Sequence, residues 1–115
     1  GLGLALATTT SRTNVEALIE GSFAAFGPNP FDPVVAGEDV TVKKPDPEAY
    51  VQALARLGLP AAACLVFEDS WNGLRAATGA GLRTIVTPSL YTAHEDFTGA
   101  AAVVADLTAF DLSAW

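Results

Sequence analysis

The spacing of apolar positions changes along the chain, and each change marks an element. Leu4 to Ala7 form a short apolar run between a glycine and a threonine cluster, the pattern of a strand buried on both faces. From Ser11 onward, Val15, Leu18, Ile19, Phe23 and Phe26 recur at helical spacing with Glu16 and Glu20 opposite, which predicts a helix stopped by Gly27-Pro28. The prolines and glycine of "NPFDPVVAGEDV" allow only a brief strand at Val34 to Ala36. "KPDPEAYVQALARLG" predicts a second helix, with Asp46 as N-cap, Pro47 at the first position, Tyr50, Ala53, Leu54 and Leu57 on its apolar face, and Gly58 as its stop. Cys64 to Phe67 reads as a strand, and Ser70 caps a helix running to about Ala80 and ended by Gly81. Arg83 to Thr87 is another strand, and the loop "PSLYTAHEDFTG" leads to a last one near Ala102 to Val104.

This alternation of strands and helices predicts an α/β fold with a parallel sheet. There is no internal repeat, low-complexity tract or second-domain linker. With 115 residues and 50% hydrophobic content, the chain suits one globular domain or part of one. No apolar stretch approaches the roughly 20 residues of a membrane span, and no basic segment leads into an apolar one at the N-terminus, so a cytoplasmic protein without membrane contact is expected. The one cysteine, Cys64, is expected in the core and excludes an internal disulfide. A net charge of -7 argues against nucleic acid as partner, and any bound anion must be held by few of the six cations Arg12, Lys43, Lys44, Arg56, Arg75 and Arg83. The absence of methionine and an opening that already reads as loop into strand suggest a piece of a longer protein.

In parallel sheets ligands gather beyond the carboxyl ends of the strands. There the sequence places Thr8, Thr9, Thr10 and Ser11, then Lys43-Lys44-Pro45, then Glu68-Asp69-Ser70. Hydroxyls, an ammonium and paired carboxylates suit a phosphate with a divalent cation such as Mg²⁺. Each group also has a plainer reading. Ser11 and Thr13 can cap a helix, although Thr8 sits early for that; Lys43 and Lys44 can be a solvated pair; Asp46 is assigned to capping. Glu68 and Asp69 can stabilise a helix N-terminus, but Ser70 already caps it and adjacent carboxylates repel without a cation between them. His94 lies far in sequence from any activated serine or cysteine, "GLG" lacks the rest of a dinucleotide fingerprint, and Glu38 and Asp39 read as a solvated pair without a role.

"LALATTTSRTN", "VKKPDPEAY" and "LVFEDSWNGLRAATGAG", in this order, resemble the second to fourth motifs of the haloacid dehalogenase-like hydrolases, in the branch of β-phosphoglucomutases and sugar-phosphate phosphatases. The match spans nearly the whole chain, and "EDSxNG" with "KKPDP" is its most specific part. The resemblance implies a three-layer Rossmann-like parallel sheet and a role for each matching position. Thr8 would bind the transferring phosphoryl group through its hydroxyl, and Thr9 through its backbone. Lys44 would neutralise the nucleophile and phosphoryl oxygens. Asp69 would ligate Mg²⁺ directly, and Glu68 directly or through water. Arg12 and Asn72 would face substrate or a covering cap. The implied mechanism forms an aspartyl-phosphate from a small phosphorylated metabolite.

The family's first motif, an Asp-x-Asp strand carrying the nucleophile, has no counterpart in these 115 residues; Asp32, Asp106 and Asp111 stand in other contexts. The helical cap inserted after that motif is absent as well. Residues 1–115 are therefore expected to be the C-terminal portion of a core domain with an incomplete sheet, the central strand between "ALATTT" and "CLVFED" missing. The expectation is an inactive, marginally stable piece of a Mg²⁺-dependent sugar-phosphate phosphatase. A phosphosugar mutase is the near alternative, and a non-catalytic interaction module is the rival from another class. The sequence leaves the oligomeric state open.

Overall fold

The structure, a computed structural model, describes residues 3–23, 31–108 and 110–111. In chain order the elements are β1 (Leu6–Ala7), α1 (Arg12–Phe23), β2 (Val34–Val35), α2 (Glu48–Leu57), β3 (Leu65–Glu68), α3 (Trp71–Gly79), β4 (Arg83–Val86) and β5 (Ala102–Val103). Short 3-10 turns occupy Gly37–Asp39 and Ala61–Ala63. Phe26 and Gly27-Pro28, expected to finish the first helix, lie outside the described residues.

All pairings are parallel, but the strands form two sheets, β1-β2 and β3-β4-β5. Among the described residues no strand lies between β1 and β3, which is the incomplete α/β sheet expected from the sequence. Alternation along the strands covers both faces of the smaller sheet. Leu6 and its register partner Val34 meet Val15 and Ile19 of α1, whereas Ala7 and Val35 meet Ala49 and Ala53 of α2. A further cluster joins Tyr50 of α2 to Ala76 and Ala77 of α3 and to Leu82, with Ala7 and Val66 packed against it. Apolar contact therefore crosses between the sheets where backbone pairing does not. On the other side Phe67 meets Phe110 edge to face at 5.3 Å. No helix among the described residues is long and apolar enough to cross a membrane.

Several local readings shift. Leu4 is half exposed, and β1 begins at Leu6, because only Leu6 and Ala7 lie under the two helices; the strand is not buried on both faces throughout. Cys64 is only partly buried: it ends the Ala61–Ala63 turn, one residue before β3, at the margin of the Tyr50 cluster. Asp46 is not the N-cap expected of it: Pro47 takes that position without a side-chain cap bond, and Asp46 Oδ1 instead accepts the Glu48 N–H at 3.0 Å in the turn that leads into the helix. The Glu48 carboxylate reaches back to the N–H groups of Thr41 and Val42 at 2.8 and 3.0 Å, which ties the preceding loop to the helix start. At its far end Gly58 adopts a left-handed φ of 69°, as a helix stop requires, and Gly81 after α3 does so at 80°.

Candidate active site

The loop that leaves α2's N-terminal side carries Lys44 into the gap between the sheets. Its Nζ donates to the Ala7 carbonyl at 3.0 Å and to Glu68 Oε1 at 2.5 Å. Ala7 ends β1 and Glu68 ends β3, so a single ammonium bridges the carboxyl ends of two strands that do not pair with each other. The two side chains are only 11% and 9% exposed, so each charge has lost most of its water and depends on the other.

Tyr50, an apolar-face position by its spacing, completes the arrangement. Its hydroxyl donates to the same Glu68 oxygen and lies 3.5 Å from Lys44 Nζ, and Lys44 sits 4.8 Å from the centroid of its ring. Burial first, and then the neighbouring Glu68 carboxylate, push the Tyr50 phenol far above its ordinary value, so it stays protonated and able to donate. Gly73 in the first turn of α3 leaves the space for Glu68: a Cβ there would fall inside the Glu68 carboxylate. The Glu68 charge is thus met by the Lys44 ammonium and the Tyr50 hydroxyl.

Asp69 has a different environment. It is exposed, and no hydrogen bond to its side chain occurs among the described residues, while its carbonyl accepts the Thr92 hydroxyl at 2.6 Å. Glu95 Oε1 accepts the Trp71 N–H at 2.9 Å. The loop after β4 is therefore fastened to the acid pair and to the start of α3. Ser70 Oγ accepts the Gly73 N–H at 3.1 Å, the cap expected from the sequence. Asn72 is exposed on the first turn of α3, and His94 is exposed in the loop that Thr92 and Glu95 anchor.

At the end of β1, the Thr8 N–H donates to the Val35 carbonyl at 2.9 Å and its Oγ1 accepts the Thr10 N–H at 3.1 Å. Thr9 lines an open depression with Ser11, Gly37, Glu38 and Lys43, whose Nζ donates to the Gly37 carbonyl at 2.5 Å. A Cβ on Gly37 would collide with the Thr9 carbonyl oxygen, so glycine is needed for this close approach of the two loops. Ser11 Oγ accepts the Asn14 N–H at 3.3 Å and so caps α1. Arg12 turns to the loop after β2, where its guanidinium pairs with Asp39 and donates to the Val34 carbonyl at 3.1 Å. Glu38 accepts the Arg12 N–H at 2.8 Å. Glu38 and Asp39 are thus not a solvated pair without a role: they hold the start of α1 to the β2 loop. The Ala36 N–H, and secondarily the Arg12 guanidinium, hold the Asp39 carboxyl below its ordinary value.

Mg²⁺ commonly takes one or two carboxylates and retains water for its remaining positions. The exposed Asp69 carboxylate, with no hydrogen bond to its side chain among the described residues, is suited to one such position, whereas Glu68 is already engaged by Lys44 and Tyr50. No cluster of three or more acidic, histidine or cysteine side chains suited to a metal occurs among the described residues.

A family comparison matches residues 1–81 to the haloacid dehalogenase-like hydrolases. The chain belongs to that family. Protein CbbY of Rhodobacter capsulatus is 51% identical over 109 residues, which cover 95% of this chain and 48% of that protein. The crystal structure of CbbY from Rhodobacter sphaeroides in complex with phosphate has a TM-score of 0.88 at 49% identity, covering 94% of this chain and 49% of that one. A mutant of the same protein in complex with xylulose-(1,5)bisphosphate matches with the same TM-score and identity over 92% of this chain and 47% of that one. The chain spans about half the length of the curated relatives it matches. Tyr50, Gly73, Thr92 and Glu95 were not singled out by sequence reasoning. Gly73 stands inside the quoted "EDSWNG" stretch, whereas the apolar period of α2 concealed the polar end of Tyr50.

Proposed function

We propose that these residues form the phosphate and metal side of a Mg²⁺-dependent phosphatase active site, acting on a small phosphorylated sugar. The observation that carries the reading is Lys44 bridging the carbonyl of Ala7, which precedes Thr8, and the carboxylate of Glu68, which precedes Asp69 with its side chain free of hydrogen bonds among the described residues. The phosphate and xylulose-bisphosphate complexes of the related CbbY favour a sugar carrying more than one phosphate as substrate. In this reading residues 1–115 are the C-terminal portion of the core domain.

Asp69 would hold the ion directly and Glu68 through water, with the phosphate and further water completing its shell. Bound there, Mg²⁺ would offset charge on the phosphoryl oxygens as it is transferred. Thr8 would donate its hydroxyl to a phosphoryl oxygen and Thr9 its backbone N–H, the usual anion contacts before a helix start. Lys44 would supply compact positive charge and, already desolvated, would act more strongly than a lysine in water. Asn72, exposed on the first turn of α3, would face the substrate or a covering cap. The nucleophile of an aspartyl-phosphate route is not among these residues, since no Asp-x-Asp occurs in them.

The test compares the 115-residue chain with a longer form that also carries an Asp-x-Asp strand. The chain alone is expected to leave an aryl phosphate intact, and the longer form to cleave it only with Mg²⁺. In the longer form Asp69→Asn and Lys44→Ala should each lower kcat at least ~100-fold, the size of losing one preorganised electrostatic contact. Turnover by the chain alone, or full activity in either variant, would refute the reading. Release of free phosphate rather than its return to the sugar distinguishes a phosphatase from a mutase.

A further inference from the structure

We propose that Tyr50 is a positioning residue which fixes both charged groups at this rim, Lys44 through its ring and Glu68 through its hydroxyl. The proposal rests on the phosphatase reading for its purpose, while the geometry stands independently of it. Lys44 has a long flexible stem and three equivalent donors, so a buried carboxylate alone would leave its direction poorly fixed. The aromatic face, 4.8 Å from Nζ, supplies a second surface, and the hydroxyl, 3.5 Å away, a third. Glu68 needs the same help. Its Oε1 receives Lys44 Nζ and the Tyr50 hydroxyl together, leaving Oε2 with no hydrogen-bond partner among the described residues. Gly73 keeps that side free of a Cβ.

Tyr50 is itself held. It is 7% exposed, in the cluster that includes Ala76, Ala77 and Leu82, and that cluster reaches Ala7 of one sheet and Val66 of the other. A ring anchored between the two sheets therefore sets the separation at which Lys44 and Glu68 meet. The hydroxyl is the only polar atom that Tyr50 brings into this cluster, and packing alone would be satisfied by phenylalanine. That difference separates a positioning role from a structural one.

The deciding variant is Tyr50→Phe, which keeps ring and volume and removes only the donor. In the 115-residue chain, exchange of the Lys44 Nζ protons followed by nuclear magnetic resonance should accelerate about tenfold. The Mg²⁺ dissociation constant from calorimetry should rise by a similar ~10-fold, the usual size of losing an outer hydrogen bond to a ligand carboxylate. Tyr50→Leu should also abolish the upfield ring-current shift of the Lys44 ε-protons, which Tyr50→Phe retains. Unchanged Lys44 exchange in Tyr50→Phe would overturn the proposal. In the unaltered chain the Tyr50 hydroxyl proton should itself be slowly exchanging and in contact with the Lys44 ε-protons; a rapidly exchanging hydroxyl overturns the assignment even where the variant fails to fold. If the unaltered chain and Asp69→Asn both ignore Mg²⁺, the metal reading falls, and Lys44 exchange still decides the role of Tyr50.

Discussion

Glu68 and Asp69 are neighbours in sequence with opposite fates, because one peptide step at the end of a strand turns the next side chain to another side. Glu68 goes inward to Lys44 and Tyr50, and Asp69 goes to solvent with its carboxylate free. Gly73 makes the inward placement possible, and it supplies a test in which two effects have opposite signs. Glycine to alanine inside an exposed helix normally stabilises by ~1 kcal/mol. Here the added methyl would occupy the Glu68 carboxylate's position and force it away from a buried ammonium. Parting a buried ion pair costs ~3–5 kcal/mol, so the steric effect should prevail. Gly73→Ala is therefore expected to lower the unfolding free energy in a urea titration; a gain in stability would show that Glu68 does not lie where described.

At the scale of elements, α3 is the piece that presents the acid pair, and its N-terminal turn is fixed by two contacts from outside the helix. Ser70 Oγ accepts the Gly73 N–H, and Glu95 from the loop after β4 accepts the Trp71 N–H. A negative group at this end also complements the helix dipole. Replacing Ser70 by alanine should cost ~1 kcal/mol, while aspartate in its place should recover most of the loss because its carboxylate can accept the same N–H. Equilibrium unfolding of the two variants checks this, and equal losses in both would argue against a capping role. Ser70 was legible in the sequence because a cap is a local pattern. Thr92 and Glu95 were not, since their partners Asp69 and Trp71 lie 23 and 24 positions away.

Over the whole molecule, the separation into two sheets is the dominant feature. The edges of β1 and β3 that face the gap carry no strand partner among the described residues, and unpaired edges of this kind recruit other chains. The sheets are joined by the Tyr50 cluster and the Lys44 bridge instead. A shallow, low-midpoint denaturant transition with a tendency to aggregate is expected of the 115-residue chain; a steep transition at high denaturant would refute it. Acid should weaken the chain further. Asp39 is held below its ordinary value by the Ala36 N–H, and Glu48 by the N–H groups of Val42 and Thr41. Their contributions are complete above the unfolded carboxyl values of 3.8 and 4.5 and disappear as pH falls through the lower folded ones. The denaturation midpoint should accordingly hold from neutrality to about pH 5 and decline below it.

The sequence by itself determined the order of strands and helices, the cap at Ser70, the stops at Gly58 and Gly81, and the family. All of these are written in short-range spacing or in contiguous motifs. It also suggested that Thr8, Lys44, Glu68 and Asp69 gather at the carboxyl ends of the strands, where Lys44 is found against Ala7 of one sheet and Glu68 of the other. Only the tertiary structure decided that Glu68 is buried against Lys44 while Asp69 is free, that Arg12 turns to Asp39, and that Tyr50 and Gly73 shape the site. The reason is physical: each of those outcomes depends on which side of an element a side chain meets, and on partners brought close by packing rather than by sequence.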